Sequence, residues 1–143
     1  MAAILKILSV DDSKTVRRLL ARLFEPFDCI LYEAANGEEG LAKAGQEKPD
    51  LILLDYNMPV MDGITMLRRL RDDAGLRHTP VIMLTAEAGA EKIATAARLG
   101  ARDYITKPFQ DEVLLAKAAR IIQLTPRTAP ATPPEKDSPS PTI

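Results

Sequence analysis

The sequence predicts an α/β domain, doubly wound around a five-stranded parallel sheet with helices on both faces. Short apolar runs alternate with longer segments of helical period over residues 4–124, as consecutive βα units require. Polar residues also recur just beyond the apolar runs, at the ends where an open parallel sheet gathers its ligands. The chain has 143 residues, 46% hydrophobic and 27% charged, which suits one folded domain with a core of ordinary size.

Each element has its own signal. Ile4 to Val10 reads as the first strand. The helix after it carries Val16, Leu19, Leu20, Leu23 and Phe24, an i, i+3, i+4, i+7, i+8 stripe that ends before Pro26, with Lys14, Arg17, Arg18 and Arg22 on its other face. Cys29 to Ala34 forms the second strand. Asn36-Gly37-Glu38-Glu39 then supplies an N-cap with a glutamate three residues on, opening a helix through about Glu47. Leu51 to Leu54 is a continuous apolar run between Asp50 and Asp55, as a strand covered on both faces should be. A helix from about Gly63 to Asp73 follows, then a fourth strand over Val81 to Leu84 and a helix over Ala90 to Leu99 stopped by Gly100. Tyr104-Ile105 makes a short fifth strand, and residues 110–123 the closing helix.

Six of the eleven prolines fall in residues 125–143, among Thr, Ser and Ala. Such a composition buries too little surface to offset chain entropy. The expected organisation is therefore a domain over residues 1–124 and, over 125–143, an extended Pro-rich tail or a linker toward a further domain.

Composition also excludes whole classes of function. Nineteen Lys and Arg against twenty Asp and Glu leave a net charge of −1, so no whole-chain attraction to nucleic acid or to a membrane surface is expected. Cys29 is the single cysteine and His78 the single histidine, which rules out a disulfide framework and a Cys- or His-rich metal site. Cys29 reads as a small core hydrophobe and His78 as a loop residue. No apolar run reaches the roughly 18 residues of a membrane span, and the N-terminus lacks a signal-peptide layout. A cytoplasmic protein is expected.

The chemistry lies in five residues. Asp11 and Asp12 follow the first strand, Asp55 ends the third, Thr85 the fourth, and Lys107 follows the fifth. An aspartate after a strand is often only a helix cap, but a parallel sheet brings all five to one rim. Three carboxylates there repel one another, and a divalent cation removes that conflict. Oxygen donors without a nearby His or Cys favour Mg²⁺, which binds few carboxylates and completes its shell with water and phosphate oxygens. A carboxylate beside Mg²⁺, a lysine and a hydroxyl is equipped for phosphoryl transfer, with Asp55 the natural nucleophile and Asp11-Asp12 suited to hold metal.

Four motifs carry a resemblance: Val10-Asp11-Asp12-Ser13, Leu54-Asp55-Tyr56-Asn57-Met58-Pro59-Val60-Met61-Asp62-Gly63, Leu84-Thr85-Ala86, and Ile105-Thr106-Lys107-Pro108-Phe109. Over residues 4–123 the chain resembles the receiver domains of bacterial two-component response regulators, of the single-domain chemotaxis-regulator type. The resemblance implies a flavodoxin-like strand order 2-1-3-4-5. It implies that Asp55 accepts a phosphoryl group from a histidine kinase or histidine phosphotransfer protein. Mg²⁺, or Mn²⁺ in its place, would be held by Asp12, Asp55 and the backbone carbonyl of Asn57, with Asp11 acting through water. Lys107, preceding a cis peptide to Pro108, would pair with the phosphoryl oxygens. Thr85 and Ala86 would meet the phosphoryl group, and Tyr104 would rotate inward as Thr85 moves. Asn57 and Glu87 would tune dephosphorylation. A downstream protein would read the fourth helix, fifth strand and fifth helix, while the phosphodonor would dock near the basic first helix. Tyr56 stands where receivers more commonly carry an aliphatic residue.

Two other readings fit less well. A phosphatase with an aspartyl-phosphate intermediate would carry Asp-x-Asp after its first strand, where this chain has Asp11-Asp12. A flavin or nucleotide carrier would need a Gly-rich phosphate loop, and none is present. The domain is therefore expected to be a switch that catalyses only its own phosphotransfer and dephosphorylation.

Overall fold

The structure, a computed structural model, describes residues 4–86 and 89–127. Five strands and five helices alternate: β1 (Leu5–Val10), α1 (Lys14–Phe24), β2 (Cys29–Ala34), α2 (Gly37–Glu47), β3 (Leu51–Leu54), α3 (Gly63–Asp72), β4 (Val81–Thr85), α4 (Ala90–Arg98), β5 (Asp103–Thr106) and α5 (Asp111–Ala119). All neighbouring strands pair in parallel, in the order β2-β1-β3-β4-β5, so strand order and doubly wound class agree with the sequence reading.

The winding follows from the period of the strands. Leu51 and Leu53 point to one face of the sheet, Ile52 and Leu54 to the other, and Ile82 and Leu84 oppose Val81 and Met83 in the same way. One face packs against Leu20 and Phe24 of α1 and Leu114 and Ala118 of α5. The other packs against Ala44 of α2, Met66, Leu67 and Leu70 of α3, and Ala96 of α4. β3 and β4 are buried throughout, which is why they read as unbroken apolar runs.

Helix starts are set by side-chain caps. The side chains of Ser13, Asn36 and Asp62 accept from the amides of Val16, Glu39 and Thr65, closing the first turns of α1, α2 and α3. Glu39 reaches back to the Ala35 amide at 2.9 Å, one residue before the cap and not the Asn36 amide of a standard capping box, and so still ties the helix start to the preceding loop.

Several boundaries shift. β4 extends through Thr85, and β5 is twice the length read from Tyr104-Ile105 because Asp103 and Thr106 also pair with β4. α5 ends at Ala119, after which Arg120 and Ile121 donate to carbonyls three residues back, in a tighter turn. Leu19 belongs to the α1 stripe by period, yet it is 49% exposed, on an open groove that it lines with Pro108 and Phe109.

The chain also stays packed past Leu124. Asp28 N–H donates to Thr125 O, Arg127 N–H to Pro26 O, and Arg127 Nε–H to Glu25 O, giving an antiparallel bridge between Phe27 and Pro126. Residues 125–127 thus strap the α1–β2 turn, which leaves a free amide and carbonyl for them to pair with. The remainder of the expected tail, residues 128–143, lies outside the described residues. Among the described residues no helix is long and apolar enough to cross a membrane.

Candidate functional site

The C-terminal ends of β1, β3, β4 and β5 meet at one edge of the sheet, and the parallel register decides what gathers there. Val10 lies opposite Leu54, which sets Asp11 beside Asp55, and Asp55 N–H donates to Val10 O at 2.9 Å. Thr85 lies opposite Thr106, and Lys107 N–H donates to Thr85 O at 2.9 Å.

Asp11 and Asp55 are only 2% and 7% exposed, whereas Asp12 faces solvent. Carboxylate oxygens of the three approach within 4.8 Å of one another. This donor set, hard oxygen only with one member open to solvent, fits Mg²⁺ by its chemistry and offers nothing for a softer metal.

Lys107 is the local countercharge. Its Nζ lies 2.5 Å from Asp11 Oδ2 and 3.5 Å from Asp55 Oδ2, and the peptide bond that follows it, to Pro108, is cis. The remaining Asp11 oxygen, Oδ1, accepts from Ser13 N–H, and Asp55 Oδ1 accepts from Tyr56 N–H at 2.8 Å. Burial, then the neighbouring Asp11 charge, push the Asp55 carboxyl above its ordinary value; Lys107, a hydrogen bond from Thr85 and the Tyr56 amide pull the other way.

The loop after β3 is held by close backbone approach. Gly63 N–H donates to Tyr56 O at 2.8 Å, and a Cβ at Gly63 would lie 2.1 Å from the Asp55 carbonyl oxygen. No rotamer relieves a clash with backbone, so Gly63→Ala is expected to cost about 3 kcal/mol of stability, the upper range for overpacking, measured by urea unfolding. Val60, in the same loop, holds φ +69°, a left-handed conformation unusual for a β-branched residue.

The other residues singled out in the sequence fall as follows. Asn57 is exposed on the loop two positions past Asp55, and Ala86 is exposed just past Thr85. Tyr104 is half-buried against the core on the α2, α3 and α4 face. Glu87 lies outside the described residues. Cys29 is buried and His78 sits in an exposed turn. Arg17, read as part of the basic face of the first helix, turns its guanidinium onto Asp11 O at 2.7 Å and Glu33 Oε1 at 2.9 Å, bracing the β1–α1 junction.

Two features were not foreseen. The Lys92 ammonium of α4 lies 4.7 Å from the centre of the Tyr56 ring, a cation–π contact joining α4 to the residue after Asp55. Leu19, Val16, Ala86, Pro108 and Phe109 line an apolar groove of about 520 Å³ that runs up to Lys107. The unusual Tyr56 hinted at the first; the α1 stripe, of ordinary width for an amphipathic helix, did not mark the second.

A doubly wound domain with three carboxylates, a threonine and a lysine gathered at one sheet edge is a receiver. The chain belongs to the response regulator receiver domain family, whose family model matches residues 7–119. It is 39% identical over 120 residues to the chemotaxis protein CheY of Pseudomonas aeruginosa, a match covering 83% of this chain and 97% of that one. Among solved structures, chemotaxis protein CheY4 of Vibrio cholerae superposes with a TM-score of 0.79 at 36% identity, covering 84% of this chain and all of that one. The CheX–CheY–BeF₃–Mg²⁺ complex from Borrelia burgdorferi gives 0.75 at 30% identity, covering 82% and 88%. The domain is thus of the CheY-like kind, a class in which phosphorylation and Mg²⁺ binding are general features.

Proposed function

We propose that Asp55 accepts a phosphoryl group from a phosphohistidine on a histidine kinase or phosphotransfer protein, and that the modified domain acts by presenting a changed surface to a protein partner. The observation that carries this reading is the setting of Asp55: buried at a strand end, 3.5 Å from Lys107 and hydrogen-bonded by Thr85. An Asp55 oxygen attacks phosphorus, the P–N bond breaks, and the donor imidazole leaves as neutral histidine once protonated. Lys107 stands where the incoming phosphoryl oxygens must lie, and Thr85 can exchange its carboxylate partner for one of them.

Asp12, Asp55 and the Asn57 carbonyl would hold Mg²⁺, or Mn²⁺ in its place, with Asp11 acting through water. Bound there, the ion would neutralise charge on the carboxylates and on the transferring group. That the similar CheY complex was solved with BeF₃ and Mg²⁺ supports a role for the ion, and the Asp11, Asp12 and Asp55 oxygens offer it a place. Asn57 and Glu87 would orient the water that ends the signal.

The groove between α1 and the Lys107–Phe109 segment, apolar inside and bordered by the charges of Lys107 and Asp111, suits a phosphodonor helix docking beside Asp55. Ala86 and Lys107 line it too. The output surface would be α4, β5 and α5, reached through Thr85 and the half-buried Tyr104. Residues up to the 125–127 strap would act as one unit in the cytoplasm, without direct binding to nucleic acid.

Amide exchange with and without beryllofluoride and Mg²⁺ tests the switch. Altered protection around Asp55 and across residues 90–120 is expected in the wild type, and Thr85→Ala is expected to confine the change to the neighbourhood of Asp55. A wild-type response that never leaves that neighbourhood rejects an output through α4, β5 and α5.

A further inference from the structure

At the edge of the sheet opposite the carboxylates, the end of α3, the 77–80 segment entering β4 and the 99–102 turn entering β5 surround a concavity of about 440 Å³. Arg71, Arg77, His78, Arg98 and Arg102 line it, and no acidic side chain does. We propose that this concavity binds a small molecule bearing two or more phosphate groups.

The first ground is charge. Arg77, Arg98 and Arg102 are exposed, and among the described residues none of them forms an ion pair. Gathering like charges in one concavity of a chain whose net charge is −1 works against folding stability, so packing does not account for it. An anion that meets several of them at once does.

The second ground is preorganisation. Arg71 Nε donates to Leu99 O at 2.8 Å, one terminal nitrogen donates to Arg77 O and Thr79 O at 2.9 and 3.0 Å, and the other to Gly100 O at 3.2 Å. One guanidinium thus ties all three segments into a fixed floor. It also covers carbonyls at the C-terminal end of α4, whose partial negative charge would otherwise repel an anion. Burial, and then the nearby Arg102 charge, lower the Arg71 pKa, in keeping with guanidiniums held close together.

The third ground is ligand chemistry. Guanidinium forks match phosphate oxygens in pairs, and the volume lies within the range of small-ligand sites. Phe, Tyr and Trp are absent from the lining, and its one aromatic ring, the His78 imidazole, stands among four guanidiniums whose charge selects for anions. The site should therefore read phosphates ahead of a nucleoside.

The test is titration of the full ¹⁵N-labelled chain with pyrophosphate in metal-free, low-salt buffer. Saturable shifts are expected across residues 71–80 and 98–103, weakening as salt is added. Arg98→Gln and Arg102→Gln are each expected to weaken binding about tenfold, the scale of one charged hydrogen bond. Both side chains are exposed, so both variants should melt no lower than the wild type. ATP is expected to bind no tighter than tripolyphosphate. Shifts confined to the neighbourhood of Asp11, Asp55 and Lys107, a non-saturating response, or unchanged affinity in the double variant would overturn the site. Tighter binding of ATP than of tripolyphosphate would overturn the phosphate-only reading.

Discussion

In metal-free buffer at pH 8, Lys107→Met is expected to lose about 3 kcal/mol of folding stability, the scale for removing one partner of a buried ion pair. Lys107 is the cation that faces both Asp11 and Asp55, whose side chains are 2% and 9% exposed. Methionine keeps much of the length and apolar stem but leaves both carboxylates buried without a countercharge. The loss should depend on pH, with a sign fixed by Asp55. Its carboxyl is already raised by burial and by Asp11, and removing Lys107 takes away one of the influences that lower it. A carboxyl whose folded pKa lies above its unfolded one binds more protons in the folded state. Its favourable contribution is complete below the ordinary carboxylate value and is lost as pH rises through the folded one. Denaturant unfolding at pH 5 should therefore show a smaller deficit than at pH 8. Equal deficits at the two values would mean that the lysine acts through packing and not as the countercharge of the site.

The second large effect is on metal. Mg²⁺ that binds only the native state adds RT ln(1+[L]/Kd), about 1.4 kcal/mol at ten times Kd and about 2.7 at one hundred times. Wild-type melting temperature should rise with Mg²⁺ accordingly. Asp12→Ala should abolish the rise while barely altering metal-free stability, because Asp12 is exposed and Asp11 and Asp55 keep Lys107. A wild-type melting temperature indifferent to Mg²⁺, or a rise retained without Asp12, would contradict the metal assignment.

Sequence alone reached as far as it did because the informative features are periodic or positional. Leu51 to Leu54 and Val81 to Leu84 announce strands covered on both faces, and once the strands are parallel Asp11, Asp55, Thr85 and Lys107 must share an edge. What it missed depends on contacts between distant segments. The Lys107–Asp11 pair joins residues 96 apart, and the Arg71–Leu99 bond joins residues 28 apart. Neither leaves a local mark. Helical period shows that Leu19 shares a face with Leu20 and Leu23, but it cannot show that Leu19 lines an open groove with Pro108 and Phe109. Composition likewise placed Thr125, Pro126 and Arg127 with the proline-rich segment, although a turn with unpaired backbone groups was there to hold them. The inward turn of Arg17 has the same origin, since its partner Glu33 lies on β2.

Intact mass after exposure to acetyl phosphate with Mg²⁺ tests the central claim most directly, in the wild type and in Asp55→Asn. One added phosphoryl group on the wild type, lost again over time and absent from the variant, is the result expected for phosphoryl transfer to Asp55. A wild type that gains no mass, or a variant that gains the same mass, would contradict it.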